Sequence, residues 1–205
     1  MRLYIHPFSP NARRALMTAI HLNVPFERVL VDLRKGEHKR PEYLKLNPNG
    51  KVPTLEDDGF ALWESRAIMT YLAERTPGQT IYPQELRARA DVNHWMFWDA
   101  VHFSPAIQIV VYERIVKGFL GHGAPDPEEI ERGEKMIAPL MAVLDGHLAN
   151  REWLSGDALT LADFCVATPL VFAGPAQLSL PPNVAAWYAR VSALDAYRQT
   201  IPQLP

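Results

Sequence analysis

Three short stretches in the first third of the chain gather residue types that can do chemistry. The first is HPFSPNARR, residues 6–14. Ser9 follows a short alternating apolar segment and precedes Pro10 and a helical pattern, so its hydroxyl falls where a strand meets a helix N-terminus. Unsatisfied backbone N–H groups and the helix dipole favour negative charge there, and an oxyanion or thiolate would be stabilised. The same serine also suits an ordinary N-cap. His6, Asn11 and Arg13 are weaker candidates, because Asn and Arg are routine near turns and on exposed helix faces.

The second stretch is NPNGKVPTLED, residues 47–57. Lys51 could hold a carboxylate. A cis Val52–Pro53 bond would turn the Val52 backbone groups outward, able to pair with a peptide-like ligand in an antiparallel manner. An Asn-Pro-Asn-Gly turn without any function has the same composition. The third is ALWESRAI, residues 61–68. Ser65, opening a helix, presents a hydroxyl and backbone N–H groups to a carboxylate, while Glu64 beside it could take an ammonium, so the pair could bind an amino-acid end. A capping serine after a solvated glutamate is the plainer alternative. Residues 34–40 add His38 and Lys39, which could meet a second carboxylate or simply face water.

The elements that must position these groups follow from periodicity. Residues 2–5 and 26–31 read as strands, with an amphipathic helix over 11–22 between them. A charged loop, a short helix over 41–46 and a turn lead to strands over 52–56 and 60–63, joined through Asp57, Asp58 and Gly59, and then to a helix from Ser65. Pro77, Gly78 and Pro83 punctuate residues 76–84, which sets an α/β domain at 1–77, a linker at 78–85 and a helical domain at 86–205. No strand is expected beyond the linker. Val92, Trp95 and Met96 share a helical face while Phe97, Trp98 and Val101 crowd others, a pattern for a helix packed between two neighbours. Trp95, Trp98, Phe103 and Tyr112 could wall an apolar pocket, although aromatics at helical spacing are usually core. Asp126, Pro127 and Glu129 read as cap, first-turn proline and capping-box acid of a helix that Pro139 should kink. Thr160 with Asp163 reads as a second capping box, and Trp187, Tyr188 and Val191 mark a final helix.

Composition narrows the function classes. The 205 residues are 48% hydrophobic and 21% charged, the balance of an ordinary globular protein. Residues 1–77 carry 12 Lys and Arg against 9 Asp and Glu, and the remainder 9 against 14. That excess is too small and scattered for nucleic acid, but a small anion could be drawn to the first domain. No apolar run approaches the roughly 18 residues that span a bilayer, and the start lacks the apolar core of a secretory signal, so a cytoplasmic location is expected. The single Cys165 allows no intrachain disulfide and, on an apolar helix face, reads as buried and inert. No paired histidine spacing suggests a metal site.

In this order and spacing, the three stretches followed by a helical domain resemble the cytosolic glutathione S-transferases along essentially the whole chain. HPFSPNARR is similar to the serine-type active-site segment of the phi, theta and delta classes, residues 36–74 resemble their glutathione site, and LTLADF, residues 159–164, resembles the family's C-terminal capping motif. The resemblance implies a thioredoxin-like N-terminal domain, an all-α C-terminal domain, a homodimer, and conjugation of glutathione, the co-substrate, to small hydrophobic electrophiles without metal. It gives Ser9 the catalytic hydrogen bond to the glutathione sulfur. It places Val52, before Pro53, on the cysteinyl backbone, Glu64 and Ser65 on the γ-glutamyl end with Arg66 assisting, and His38, Lys39 and Lys51 near the glycine carboxylate. The electrophile is expected between Phe8 and the aromatics around Phe103 and Tyr112. Two departures concern the glycine end: Gly50 stands where delta-class members commonly carry histidine, and Lys51 replaces the glutamine usual in phi-class ones. The same thiolate would also serve peroxidase, dehalogenase or isomerase chemistry, and a noncatalytic binding module of this fold is the rival from another class.

Overall fold

The computed structural model describes residues 1–202, which divide into two units: residues 1–82 together with 194–202, and Pro83–Ala193. The first unit is built on a four-stranded sheet in the order β2-β1-β3-β4. Strand β1 (Arg2–Ile5) turns Leu3 and Ile5 to one face and Tyr4 to the other, the period of a pleated strand. It pairs in parallel with β2 (Glu27–Leu30) and antiparallel with β3 (Thr54–Asp57), which pairs with β4 (Phe60–Trp63) through the expected Asp58-Gly59 turn.

A parallel pair needs a crossover, and helix α1 (Pro10–His21) supplies it. Ala12, Ala15, Leu16 and Ala19 of α1 meet Leu3, Ile5 and Leu55 of the sheet and Ile68 and Leu72 of α3 (Ser65–Glu74) in one buried cluster. On the opposite face, Tyr43 of α2 (Pro41–Leu46) packs with Val31 and Val52 against Tyr4.

The second unit is helical among the described residues, as expected. Helix α4 (Leu86–Trp98) continues through a π-helical segment, Asp99–Phe103, into α5 (Ser104–Val111), then through a second, Tyr112–Val116, into the short α6 (Lys117–Phe119). Helix α7 (Pro127–Leu148) lies against α5 so closely that a Cβ on Gly133 would stand 2.7 Å from Val110 Cγ2. Only glycine permits that approach. Two further helices, α8 (Leu161–Ala167) and α9 (Pro182–Ser192), complete the unit.

Three details differ from the sequence reading. Asp126 caps α7 as expected, but Glu129 bonds Arg132, and the Asp126 N–H instead donates to the buried Glu113 carboxylate at 2.7 Å. A group from a distant helix thereby replaces the local partner. Phe97 and Val101 do not bury against a second neighbour in this chain; they are 66% and 63% exposed. Beyond the helix expected to be last lies α10 (Asp195–Arg198), which packs on α1 and so belongs with the first unit, not with a helical domain running through 86–205. Residues 203–205 of that assigned range lie outside the described ones.

Candidate functional site

The β1–α1 junction holds Ser9 as the sequence suggested. Ser9 has extended dihedrals and Pro10 opens the helix, the arrangement of a cap and first-turn proline. Its Oγ accepts the Ala12 N–H at 3.2 Å. A hydroxyl that caps by accepting still has its own proton to donate. Half-buried Ser9 therefore closes the helix and keeps a proton that an anion at the positive end of the dipole could accept.

Its neighbours serve the fold. Arg13, a candidate for binding, is only 3% exposed; its guanidinium donates to the Thr200 carbonyl at 3.0 Å and the Tyr197 carbonyl at 3.3 Å, and stacks 3.9 Å from the Tyr197 ring. It anchors the C-terminal turn to α1. Asn11 is exposed and its Oδ1 accepts from Arg14 at 2.6 Å. Tyr4, the other hydroxyl in this region, donates to Glu56 at 2.8 Å, and burial with that carboxylate raises its pKa, which unsuits it to activate a thiol.

The Val52–Pro53 bond is cis, and Val52 precedes the first ladder residue, Thr54. What fixes this segment is a pair of buried side chains that periodicity did not reveal. Tyr43 Oη donates to the Lys51 carbonyl at 2.6 Å and lies 2.8 Å from Thr54 Oγ1. Asn47 Nδ2 donates to the same carbonyl at 2.8 Å and to the same hydroxyl at 3.1 Å. Both clamp the chain on either side of Val52 and Pro53. The available signal was Asn47 itself, a turn residue with no reason to be buried unless its amide has partners.

The glycine at position 50 is close-packed. Its φ is +56°, and a Cβ there would meet the His38 carbonyl at 2.9 Å and Lys39 Nζ at 3.0 Å. Lys39 thus lies over the space a side chain at 50 would fill. Lys51 is exposed, and among the described residues neither lysine makes an ion pair. His38 lies in the single turn Glu37–Lys39 with its Nδ1 buried and without a hydrogen-bond partner.

Glu64 adopts φ +73° and ψ 113°, a region that a non-glycine residue occupies only when surrounding structure imposes it. It stands at the N-cap position of α3 but makes no capping bond, and its carboxylate is exposed. Ser65 is the first residue of α3 and is buried, and among the described residues its hydroxyl makes no hydrogen bond. A strained acid and an unengaged hydroxyl at a helix N-terminus form a small site with one acceptor for cations and several donors for anions. Arg66, next in α3, is half-buried.

The electrophile-pocket residues fare differently. Phe8 is half-buried beside Ser9. Phe103 is corrected: it is fully buried and stacked on Trp98 at 5.0 Å, so it is core and has no surface to offer a substrate. Tyr112 is half-buried and its hydroxyl lies 3.0 Å from His122 Nδ1. Cys165 is buried and donates to the buried Asp99 carboxylate at 3.3 Å, a packing role. Among the described residues no group of three or more His, Cys, Asp or Glu is arranged for a metal ion, and no helix is long and apolar enough to cross a membrane.

A four-stranded mixed sheet with Ser9 and the Glu64-Ser65 pair at two helix N-termini, together with a separate helical unit, defines a class that comparison with known proteins makes specific. Residues 8–75 match the family model "Glutathione S-transferase, N-terminal domain" and residues 127–190 match "Glutathione S-transferase, C-terminal domain". Glutathione S-transferase 3 of Zea mays is 34% identical over all of this chain and 95% of its own length. Glutathione S-transferase F10 of Arabidopsis thaliana is 32% identical over 94% of this chain and 93% of its own. The crystal structure of glutathione transferase F7 from Populus trichocarpa superposes with a TM-score of 0.90 at 32% identity, covering 97% of this chain and 96% of that one. The chain belongs to the glutathione S-transferase family.

Proposed function

We propose that this chain is a serine-type, phi-like glutathione transferase that binds glutathione, stabilises its thiolate with Ser9 and adds it to small electrophiles. The backbone of Glu64 carries this reading. A non-glycine residue held at φ +73° beside a buried, unengaged Ser65 has no role in the core, and it suits recognition of the γ-glutamyl ammonium and carboxylate. Val52, between two clamped residues, is placed to pair with the cysteinyl backbone of an extended peptide. Lys39, drawn over Gly50, supplies the charge for the glycine carboxylate, with His38 and Lys51 beside it. Ser9 then lies where the sulfur arrives. Its O–H and the helix N-terminus favour thiolate over thiol, the thiolate attacks the electrophilic carbon, and the carbon's leaving group departs with the electron pair.

Glutathione titrated into the purified protein should give saturable binding and a thiolate ultraviolet absorbance near neutrality. Binding without that absorbance would sink the catalytic assignment and favour a binding module. Lys39→Ala should weaken glutathione about tenfold, the loss of one charge-assisted contact, with little change in kcat. An unchanged affinity would leave Lys51 or His38 as the carboxylate ligand.

The homodimer implied by the resemblance is supported by Phe97 and Val101, an exposed apolar pair one turn apart. Phe97→Glu should convert the dimer to monomer in light scattering; a wild-type monomer would refute this part of the reading.

A further inference from the structure

We propose that His6 is a positioning residue for Ser9, its imidazole standing in for the side-chain oxygen of an Asx turn and setting the turn from which the serine hydroxyl is presented. The inference rests on the catalytic role of Ser9 but concerns a residue to which that role assigns nothing.

Strand β1 ends at Ile5 and α1 begins at Pro10, so four residues, His6, Pro7, Phe8 and Ser9, must turn the chain. Pro7 fixes its own φ, lacks an N–H and holds His6 extended. After His6, two backbone donors remain before the helix, those of Phe8 and Ser9, and both end on His6. Phe8 N–H donates to His6 Nδ1 at 3.3 Å, and Ser9 N–H donates to the His6 carbonyl at 3.0 Å. In an Asx turn the side-chain oxygen of one residue accepts from the N–H two residues on. Imidazole Nδ1 is bonded to Cγ as the asparagine Oδ1 is, so the ring closes the same loop. The Phe8 ring packs against the imidazole with centroids 5.7 Å apart, which holds it in place.

The bond requires a lone pair on Nδ1, so His6 must be neutral with its proton on Nε2. Burial holds the His6 pKa below its ordinary value, Asp32 pulls it up, and Arg34 and His38 push it down. Protonation would put an N–H against the Phe8 N–H and release the turn. The unfolded chain takes up this proton more readily than the folded one, so stability present above the ordinary histidine range falls as pH drops through it toward the lowered folded value.

The test compares His6→Asn, which keeps an acceptor at the same position and cannot titrate there, with His6→Leu, which removes it. Each is read by the pH titration of bound glutathione thiolate and by kcat and KM with an activated aryl chloride. His6→Asn should keep the wild-type thiolate midpoint and kcat. His6→Leu should shift the midpoint toward that of the free thiol and lower kcat roughly three- to tenfold at unchanged KM for glutathione, the worth of one hydrogen bond. A wild-type midpoint in folded His6→Leu, or equal loss in folded His6→Asn, overturns the proposal. If His6→Leu does not fold, the Asn variant decides alone. Ser9→Ala run alongside separates the cases: if it too retains thiolate, the assignment of Ser9 has failed, whereas its loss of thiolate with His6→Leu unaffected rejects His6 only.

Discussion

Ser9→Ala should lower turnover at pH 7 by about tenfold or more while glutathione affinity stays within a few-fold. A free thiol titrates near pH 8.5, and the donor and helix terminus are expected to depress that by one or more units. Each unit lost on removing the hydroxyl costs about a factor of ten in thiolate near neutrality. Affinity should survive because Glu64, Ser65, Val52 and Lys39 remain. The substitution also removes the acceptor for the Ala12 N–H, so stability should fall by roughly 1 kcal/mol, a typical cap loss. The two effects separate experimentally: the absorbance of bound thiolate against pH reports the first, and denaturant unfolding the second. Full turnover in the variant would show that the serine is only a cap. Loss of binding together with turnover would instead make it part of the glutathione cradle.

A second substitution should act on the fold alone. Asp163, fully buried at the start of α8, accepts from Leu154 N at 3.0 Å, Thr160 N at 2.8 Å, Thr160 Oγ1 at 3.1 Å and Trp187 Nε1 at 2.8 Å. One carboxylate thus ties the loop before α8, the helix start and α9 together. Burial pushes its pKa up while these donors pull it down. In Asp163→Ala three buried N–H groups lose their acceptor and a cavity opens, at a cost of about 3–5 kcal/mol. A domain's whole stability is of order 5–15 kcal/mol, so low soluble yield and a greatly lowered unfolding midpoint are expected. Asp163→Asn should be milder, since it keeps one acceptor. An Ala variant within 1 kcal/mol of wild type in urea unfolding, on a scale where ordinary substitutions cost about that much, would show that water satisfies those donors instead.

Period and cap chemistry carried much of the architecture. Leu3 and Ile5 against Tyr4 announced a strand, the spacing of Ala12, Ala15, Leu16 and Ala19 announced a helix, and Ser9-Pro10 and Thr160-Asp163 marked helix starts within a residue. These signals are local, which is why they survive in a single sequence. The failures share the opposite property. Glu113 displaced Glu129 at the Asp126 N–H through a contact between residues 13 apart, and Arg13 found the carbonyls of Tyr197 and Thr200 nearly the whole chain away. No spacing rule anticipates either, nor the four-residue α10, too short to show a period. Phe103 and Phe97 look alike as apolar helix positions, yet one is fully buried and the other largely exposed, since burial depends on which neighbour arrives.

The candidate site divides the same way. Residue type and order by themselves marked Ser9, Val52, Glu64 and Ser65 as candidates, each at a strand end or helix start where backbone donors are free, and it was the resemblance to a family that joined them into one proposed site for a thiol peptide. Only the tertiary structure decided how they are held: Glu64 forced to positive φ, Tyr43 and Asn47 clamping Lys51 and Thr54, Lys39 lying over Gly50, and the N–H groups of Phe8 and Ser9 both ending on His6. A hydrogen bond between residues adjacent in the fold leaves no periodic trace in the chain, and in this site such bonds set the geometry.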